Sequence, residues 1–330
     1  MYFTLDYDVG AVSTSFEPSN CLKITSMVEK AGFNVAWIGD HLLPWFHTEA
    51  HAPQAWVLMS SAAERTKRIS IGCDVTVPLY RYHPIIAAQA FATMGNIYPG
   101  RIIMGVGTGE GMNEYPLLGS WPSWIKRAEA LTEAIDLIRK FWSNNNYFDY
   151  EGKYFKVKGI FCYDKPRDEI QIYWSAVGKR SAFLAGKCRT HLMTVGSPEK
   201  CKDGIIEEYE RGLRSSGDIK GMKKAVYFNV AYGKGDKLLE KVRKVMGPFL
   251  PEGWNARDPR EIESLAKSVS RELIEDKFLL CSNPEELIEP LDRYRKAGIN
   301  SVIVGDWGIA PDELLTDFRT KVMPYFLEND

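Results

Sequence analysis

The 330-residue sequence has no CxxC pair among its six cysteines, no long apolar run and almost no net charge. Without paired spacing neither a zinc site nor a disulfide framework is indicated. Cys21, Cys73, Cys162, Cys188, Cys201 and Cys281 read as free thiols in a reducing compartment, and no bound metal is expected. No apolar stretch approaches the about 18 residues of a membrane span, and the opening Met1-Tyr2-Phe3-Thr4-Leu5-Asp6 lacks the basic head and apolar core of a signal peptide. A soluble, cytoplasmic protein with no membrane partner is the expectation. The 42 basic and 43 acidic residues nearly cancel, and no basic run or arginine–aromatic cluster offers a surface that could track phosphates, which disfavours nucleic acid as a partner. There is no G-x-G-x-x-G in a strand–helix context and no G-x-x-x-x-G-K-[ST], so the usual nicotinamide and nucleotide-hydrolase readings are disfavoured as well.

What is present is a regular alternation of short β-rich runs and longer helical periods, the pattern of a parallel α/β protein. Strands are predicted at Tyr2 to Asp8, Asn34 to Ile38, Arg68 to Val77, Arg101 to Val106, Ile170 to Ala176, His191 to Val195, Ala225 to Tyr232 and Ser301 to Val304. Helical spacing fills the intervals, for instance Asn20 to Ala31 closed by Gly32, and Pro84 onward to the stop at Pro99-Gly100. Two interruptions stand out. Tyr147 to Tyr163 alternates with period two around Gly152, as a surface hairpin does, and the connection after the seventh strand is extended by a Pro/Gly-rich stretch, Gly247 to Gly253. Eight strand–helix steps with two insertions predict a (β/α)8 TIM barrel forming a single domain over residues 1–330.

The chain is organised around Trp37-Ile38-Gly39-Asp40-His41, where an apolar strand stops at an acid and an imidazole, followed by Pro44, Trp45, His47 and His51. Two readings fit Asp40 and His41 by themselves: a helix cap beside a satisfied loop histidine, or a site at a strand end. In a barrel every strand end lies on one face. Asp40 and His41 would then share a rim with Asp74, Val75 and Thr76, with Gly107-Thr108-Gly109-Glu110, with Ala176-Val177-Gly178 and with Asp306-Trp307. The glycine turn before Glu110 fits a tight strand-to-helix connection as well as a ligand loop. Val177-Gly178-Lys179-Arg180 fits either a solvated basic first turn or a phosphate held on free N–H groups.

Taken jointly, Gly39-Asp40-His41 with Pro44-Trp45, His51-Ala52-Pro53, Arg81-Tyr82-His83-Pro84, Gln89-Ala90-Phe91-Ala92-Thr93, Tyr98-Pro99-Gly100-Arg101, and Gly105 to Glu110 with Asn113-Glu114 resemble the deazaflavin-dependent branch of the bacterial luciferase-like superfamily. That branch includes coenzyme F420-dependent glucose-6-phosphate dehydrogenase, secondary-alcohol dehydrogenase and methylenetetrahydromethanopterin reductase. The resemblance runs the length of the chain. It implies a barrel that binds 8-hydroxy-5-deazaflavin across its strand ends, as a homodimer, and moves a hydride between C5 of the coenzyme and a small alcohol, aldehyde or ketone.

Residue by residue, the resemblance implies that His41 takes the hydroxyl proton, that Glu110 faces the pyrimidine edge of the deazaflavin, and that Trp45 walls the substrate pocket. It implies coenzyme contacts for Asp40, Thr76, Thr108, Gly109, Glu110, Ala176, Val177 and Gly178, the last three at the phosphate, and a strained, often cis, peptide at Asp74-Val75. Imidazole suits proton transfer from an alcohol near neutral pH. Two departures bear on the substrate. The glutamate that alcohol-oxidising members often carry in the first loop falls near Ser13-Thr14, with Glu17 slightly beyond. The lysines of the sugar-phosphate enzymes fall on Ser197 and Ser264, leaving Lys277 from a phosphate cluster, so glucose 6-phosphate is disfavoured. Trp45, Trp56, Trp121, Trp124 and Trp307 in some combination suit a small, fairly apolar substrate. Two other readings are a relative of the pterin reductase and a non-catalytic barrel that binds deazaflavin or flavin. Flavin mononucleotide is the less favoured cofactor.

Overall fold

The computed structural model describes residues 3–217 and 221–328. Eleven strands alternate with helices: β1 (Thr4–Asp8), β2 (Val35–Ile38), β3 (Ser70–Thr76), β4 (Ile102–Val106), β5 (Phe148–Glu151), β6 (Lys156–Ile160), β7 (Gln171–Ser175), β8 (His191–Val195), β9 (Lys224–Tyr232), β10 (Leu279–Cys281) and β11 (Ser301–Gly305). Eight of them pair in the order β9-β11-β1-β2-β3-β4-β7-β8, and β8 pairs back to β9, which closes the ring. Every pairing in the ring is parallel. The predicted (β/α)8 barrel is therefore the fold. The first strand starts at Thr4 among the described residues, and Tyr2 lies outside them.

β2, β4 and β11 are buried along their whole length, as strands covered on both faces must be. Side chains from strands around the ring fill the barrel interior with Val35, Trp37, Ile103, Tyr173, Met193, Ala225 and Ile303. Trp37 is accommodated because position 72 is glycine: a Cβ there would lie 2.4 Å from the indole. The interior is not wholly apolar. Asp6 accepts hydrogen bonds from Ser301 Oγ (2.6 Å) and Trp37 Nε1 (3.3 Å).

Outer helices wrap the ring, those at Pro18 and Pro84 opening on proline as the sequence placed it. They include α1 (Val9–Ser15), α2 (Pro18–Ala31), α3 (Ala55–Arg65), α4 (Pro84–Ile97), α5 (Gly111–Leu118), α6 (Trp124–Ser143) and α7 (Lys179–Lys187). Gly32 ends α2 at φ +96°, and His83 caps α4 through its ring. β5 and β6 form the expected antiparallel hairpin, tied to α6 by Glu133, whose carboxylate accepts the N–H groups of Lys153, Tyr154 and Phe155 at 2.8–3.1 Å.

The sequence reading missed α1 and α5, which are only 7 and 8 residues long. It also missed Arg271–Lys277 and β10 inside the seventh connection. β10 is three residues long and adds in parallel to the outer edge of β9. Within the same connection a further helix runs over Pro259–Ala266. All six cysteines are buried and free. No described helix is long and apolar enough to cross a membrane.

Candidate active site

The C-terminal ends of β1 and β2 are forced together by two glycines. A Cβ on Gly10 would lie 2.4 Å from the backbone nitrogen of Gly39, and one on Gly39 would lie 3.2 Å from Cδ2 of His41. The start of α1 and the end of β2 touch backbone to backbone. Asp74 and His41 flank that contact, because the same Cβ on Gly10 would lie 2.8 Å from Asp74 Oδ1.

Asp40 is held by Thr76, Tyr82 and Arg81. It is buried, and its carboxylate accepts hydrogen bonds from Thr76 Oγ1 (3.0 Å) and Tyr82 Oη (3.2 Å). Arg81 Nη2 lies 3.4 Å from the carboxylate and donates to the Asp40 carbonyl at 2.8 Å. Thr76 in turn accepts from Trp56 Nε1 at 2.8 Å, and Trp56 packs on the Tyr82 ring. Burial pushes the Asp40 carboxyl upward and Arg81 opposes it. This network fixes the backbone that carries His41. The same guanidinium lies 3.8 Å from Glu114, which is fully buried and pushed up to about 7 by burial.

His41 and Glu110 meet at the mouth, Nδ1 to Oε2 at 3.8 Å, each side chain about one-fifth exposed. Asn113 joins them. Its Nδ2 lies 3.1 Å from His41 Nδ1 and donates to Glu110 Oε2 at 3.0 Å, while its Oδ1 accepts the N–H groups of Leu42 (2.7 Å) and Leu43 (3.0 Å). Burial, with help from Arg81, lowers the His41 imidazole to about 4, and burial raises the Glu110 carboxyl to about 7. The edge of Trp45 meets the His41 ring with centroids 5.8 Å apart. Trp45 packs with Met112, Ile262, Leu43, Ala256 and Trp307 into an apolar wall. Trp307 adopts φ 54°, held where Asp306 accepts the Gly308 N–H at 3.1 Å, and its Nε1 donates to Asn229 at 3.0 Å.

The Asp74-Val75 peptide is cis, and the pairing of β3 with β4 shifts register there. Val75 is half-buried against Gly107, where a Cβ would lie 2.6 Å from its side chain. Asp74 accepts a hydrogen bond from Tyr227 Oη at 2.6 Å. Asp8, which caps α1 through the Ala11 N–H at 2.8 Å, is its acidic neighbour. Burial raises both carboxyls, Asp8 to about 7, and the charge of Asp8 raises Asp74 further.

Thr108 and Gly109 form the turn before α5, with Arg127 reaching their carbonyls at 3.5 and 3.3 Å while covering the Trp121 ring. Across the mouth, Ala176 pairs with Met193 at 2.8 Å, Val177 is exposed, and Gly178 begins α7 with no side-chain cap. Among the five tryptophans singled out, Trp45 and Trp307 come together. Trp56 serves Thr76, Trp121 stacks under Arg127, and Trp124 opens α6 on the outer surface. Ser13 bonds the Gly10 carbonyl at 2.7 Å and Glu17 is exposed at the head of α2. Among the described residues no group of three or more His, Cys, Asp or Glu is arranged to hold a metal. The sequence reading assigned no role to Asp8, Arg81, Asn113, Glu114 or Tyr227. Asn113 and Glu114 had a signal, since they follow Glu110 by one helical turn and share its face.

The luciferase-like monooxygenase family profile matches residues 2–301. The F420-dependent glucose-6-phosphate dehydrogenase of Microbacterium testaceum is 32% identical over 330 residues, 98% of each chain, and that of Mycolicibacterium smegmatis is 31% identical over 322 residues, 95% of this chain and 96% of its own. Among solved structures, an F420-dependent secondary alcohol dehydrogenase in complex with an F420-acetone adduct matches with a TM-score of 0.89 at 33% identity, covering 96% of this chain and 99% of its own. The coenzyme F420 dependent tetrahydromethanopterin reductase from Methanopyrus kandleri shares the fold, with a TM-score of 0.77 at 20% identity over 99% of this chain and 100% of its own. On both sequence and fold, this chain belongs to the luciferase-like monooxygenase family, in its F420-dependent branch.

Proposed function

We propose that the protein is a coenzyme F420-dependent oxidoreductase that interconverts a small alcohol and its carbonyl compound. One observation carries the reading: His41 and Glu110, 3.8 Å apart and linked through Asn113, stand at the barrel mouth beside the apolar wall of Trp45 and Trp307. A titratable pair against an apolar pocket is what removal of a hydroxyl proton requires.

The residues present fit the coenzyme. The uncapped N-terminus of α7 offers free N–H groups, and a Cβ at Gly178 would meet nothing within 4 Å, which suits a phosphate. Val177 and Ala176 would flank it. Val75 would support the ring system from below, with Asp74 and Thr76 behind it, and Thr108, Gly109 and Glu110 would border its pyrimidine edge. When bound, the deazaflavin supplies C5 as a hydride acceptor or donor. His41 handles the proton of the substrate hydroxyl, Glu110 holds a proton close to neutral pH, and Trp45 excludes water from the reacting carbon. Asp40 acts through Arg81, Thr76 and the backbone, not by touching substrate.

The curated relatives are named for glucose 6-phosphate, yet three cations near this pocket already have partners. Arg81 serves Asp40 and Glu114, Lys277 pairs with Asp276 at 2.6 Å, and Arg257 lies over the Tyr115 ring. Ser197 caps the following helix and Ser264 is exposed. A dianion would lack cationic partners there, which favours a neutral substrate. A homodimer also belongs to the proposal. The test is a titration with oxidised F420 followed by visible absorbance. Propan-2-ol is expected to bleach the bound coenzyme, glucose 6-phosphate to leave it coloured, and His41→Ala to slow bleaching by about 10²- to 10⁴-fold without loss of coenzyme binding. Bleaching by glucose 6-phosphate alone would overturn the substrate class.

A further inference from the structure

We propose that Asn113 is a positioning residue that sets the tautomer of His41, making His41 and Glu110 a two-step proton relay instead of a lone base; the inference rests on the oxidoreductase reading above.

A carboxamide has one end that only accepts and one that only donates. The accepting end of Asn113 is identified by its neighbours, because the N–H groups of Leu42 and Leu43 point at it from 2.7 and 3.0 Å. Reversing the amide would set its NH2 against two donors. Nδ2 therefore faces both His41 Nδ1 at 3.1 Å and Glu110 Oε2 at 3.0 Å. With two hydrogens and two acceptors, each hydrogen has one place to go, and Nδ1 of the neutral ring must offer its lone pair. The proton of neutral His41 then sits on Nε2, the nitrogen that makes no hydrogen bond to a described residue. In that state His41 is a donor, suited to a carbonyl or alkoxide oxygen and unable to accept a hydroxyl proton.

Accepting one requires the other tautomer, reached when Nε2 releases its proton to solvent and a protonated Glu110 hands its proton to Nδ1, which also resets the pair after each turnover. The nearest acceptor for that proton is Glu110 Oε2, 3.8 Å away. In the oxidation direction the hydroxyl proton passes to Nε2, the Nδ1 proton passes to the Glu110 carboxylate, and the carbinol C–H bond breaks with its electron pair leaving as hydride to the oxidised deazaflavin. The products are a carbonyl, a neutral His41 with Nε2–H and Nδ1 bonded to Asn113, and a neutral Glu110. No imidazolium forms. Reduction runs the same transfers backwards.

The electrostatics agree with the geometry. Burial disfavours charge on both groups; Arg81, from the loop after β3, adds to this on His41 and opposes it on Glu110, which Glu114, from α5, raises further. Asp40 stands behind Arg81 and raises Glu114. Both shifts place a shared proton on Glu110 in preference to His41.

The test is nitrogen NMR of the full-length protein with ring-labelled histidine, His41 being assigned by His41→Gln. Expected near neutral pH are a pyridine-like Nδ1 and a pyrrole-like Nε2, with no titration of His41 between about pH 5 and 8. Asn113→Asp sets an acceptor against Nδ1, so the two signals should exchange and the ring should begin to titrate in that window. Asn113→Ser, which keeps neither bond, should show both tautomers, and serves if the aspartate variant does not fold. The kcat profile of Asn113→Asp should gain an ionisation absent from the wild type, with coenzyme affinity changed by about twofold or less. A pyrrole-like Nδ1 in the wild type, or an ordinary histidine titration, would overturn the proposal. The spectra need no coenzyme, so they decide the tautomer even if no alcohol bleaches F420.

Discussion

Asp8 and Asp74 show at single residues how the barrel mouth departs from ordinary carboxylate behaviour. Burial raises both, Asp8 to about 7, against the hydrogen bonds that Tyr227 donates to Asp74 and the Ala11 N–H donates to Asp8. A carboxyl raised in the folded state favours folding fully below its unfolded value, near 3.9, and loses that contribution as pH climbs through about 7. Asp8→Asn keeps an acceptor for the Ala11 N–H and removes the titration. Thermal unfolding should therefore show the variant gaining on the wild type as pH rises from about 4 to 8; parallel curves would contradict this. Asp40, His41 and Glu110 were legible in the sequence because each sits where a strand or its turn ends. Asn113 was not, since its importance lies in reaching back from α5 to Leu42, Leu43 and His41, a contact only the closed barrel makes. Asp8 was hidden because it ends β1 and begins α1 without an intervening loop.

At the scale of elements, α4 is the informative exception. Its 14 residues carry no charge, and Ile86 and Ile97 are 53% and 57% exposed on the face that also carries Thr93. A helix apolar all round is normally covered, and Val57 of α3, 68% exposed, lies on the preceding helix. A second copy covering these helices follows from the homodimer proposal. Ile86→Glu combined with Ile97→Glu should yield a folded monomer by light scattering, where the wild type gives a dimer; a monomeric wild type would end that idea. Most helices were legible because their caps are written in the sequence, as Gly32 and Pro84 show. Short elements were not, since α1, α5 and β10 are held by tertiary contacts and span too few residues for a period to be counted.

For the molecule as a whole, the fold follows from strand count and alternation, because parallel strands buried on both faces leave a distinct apolar signature and eight of them close a ring. The proposed chemistry depends on that closure, since it alone brings residues from the ends of β1, β2, β3, β4 and β11 to one mouth. The proposed activity requires direct hydride transfer between a carbinol carbon and C5 of F420. It is tested most directly by supplying propan-2-ol deuterated at its central carbon to the enzyme with oxidised F420, then locating the label in the reduced coenzyme. Deuterium is expected at C5 in ordinary water, and none in deuterated water with unlabelled alcohol. Label arriving at C5 from the solvent, with none from the alcohol, would contradict it.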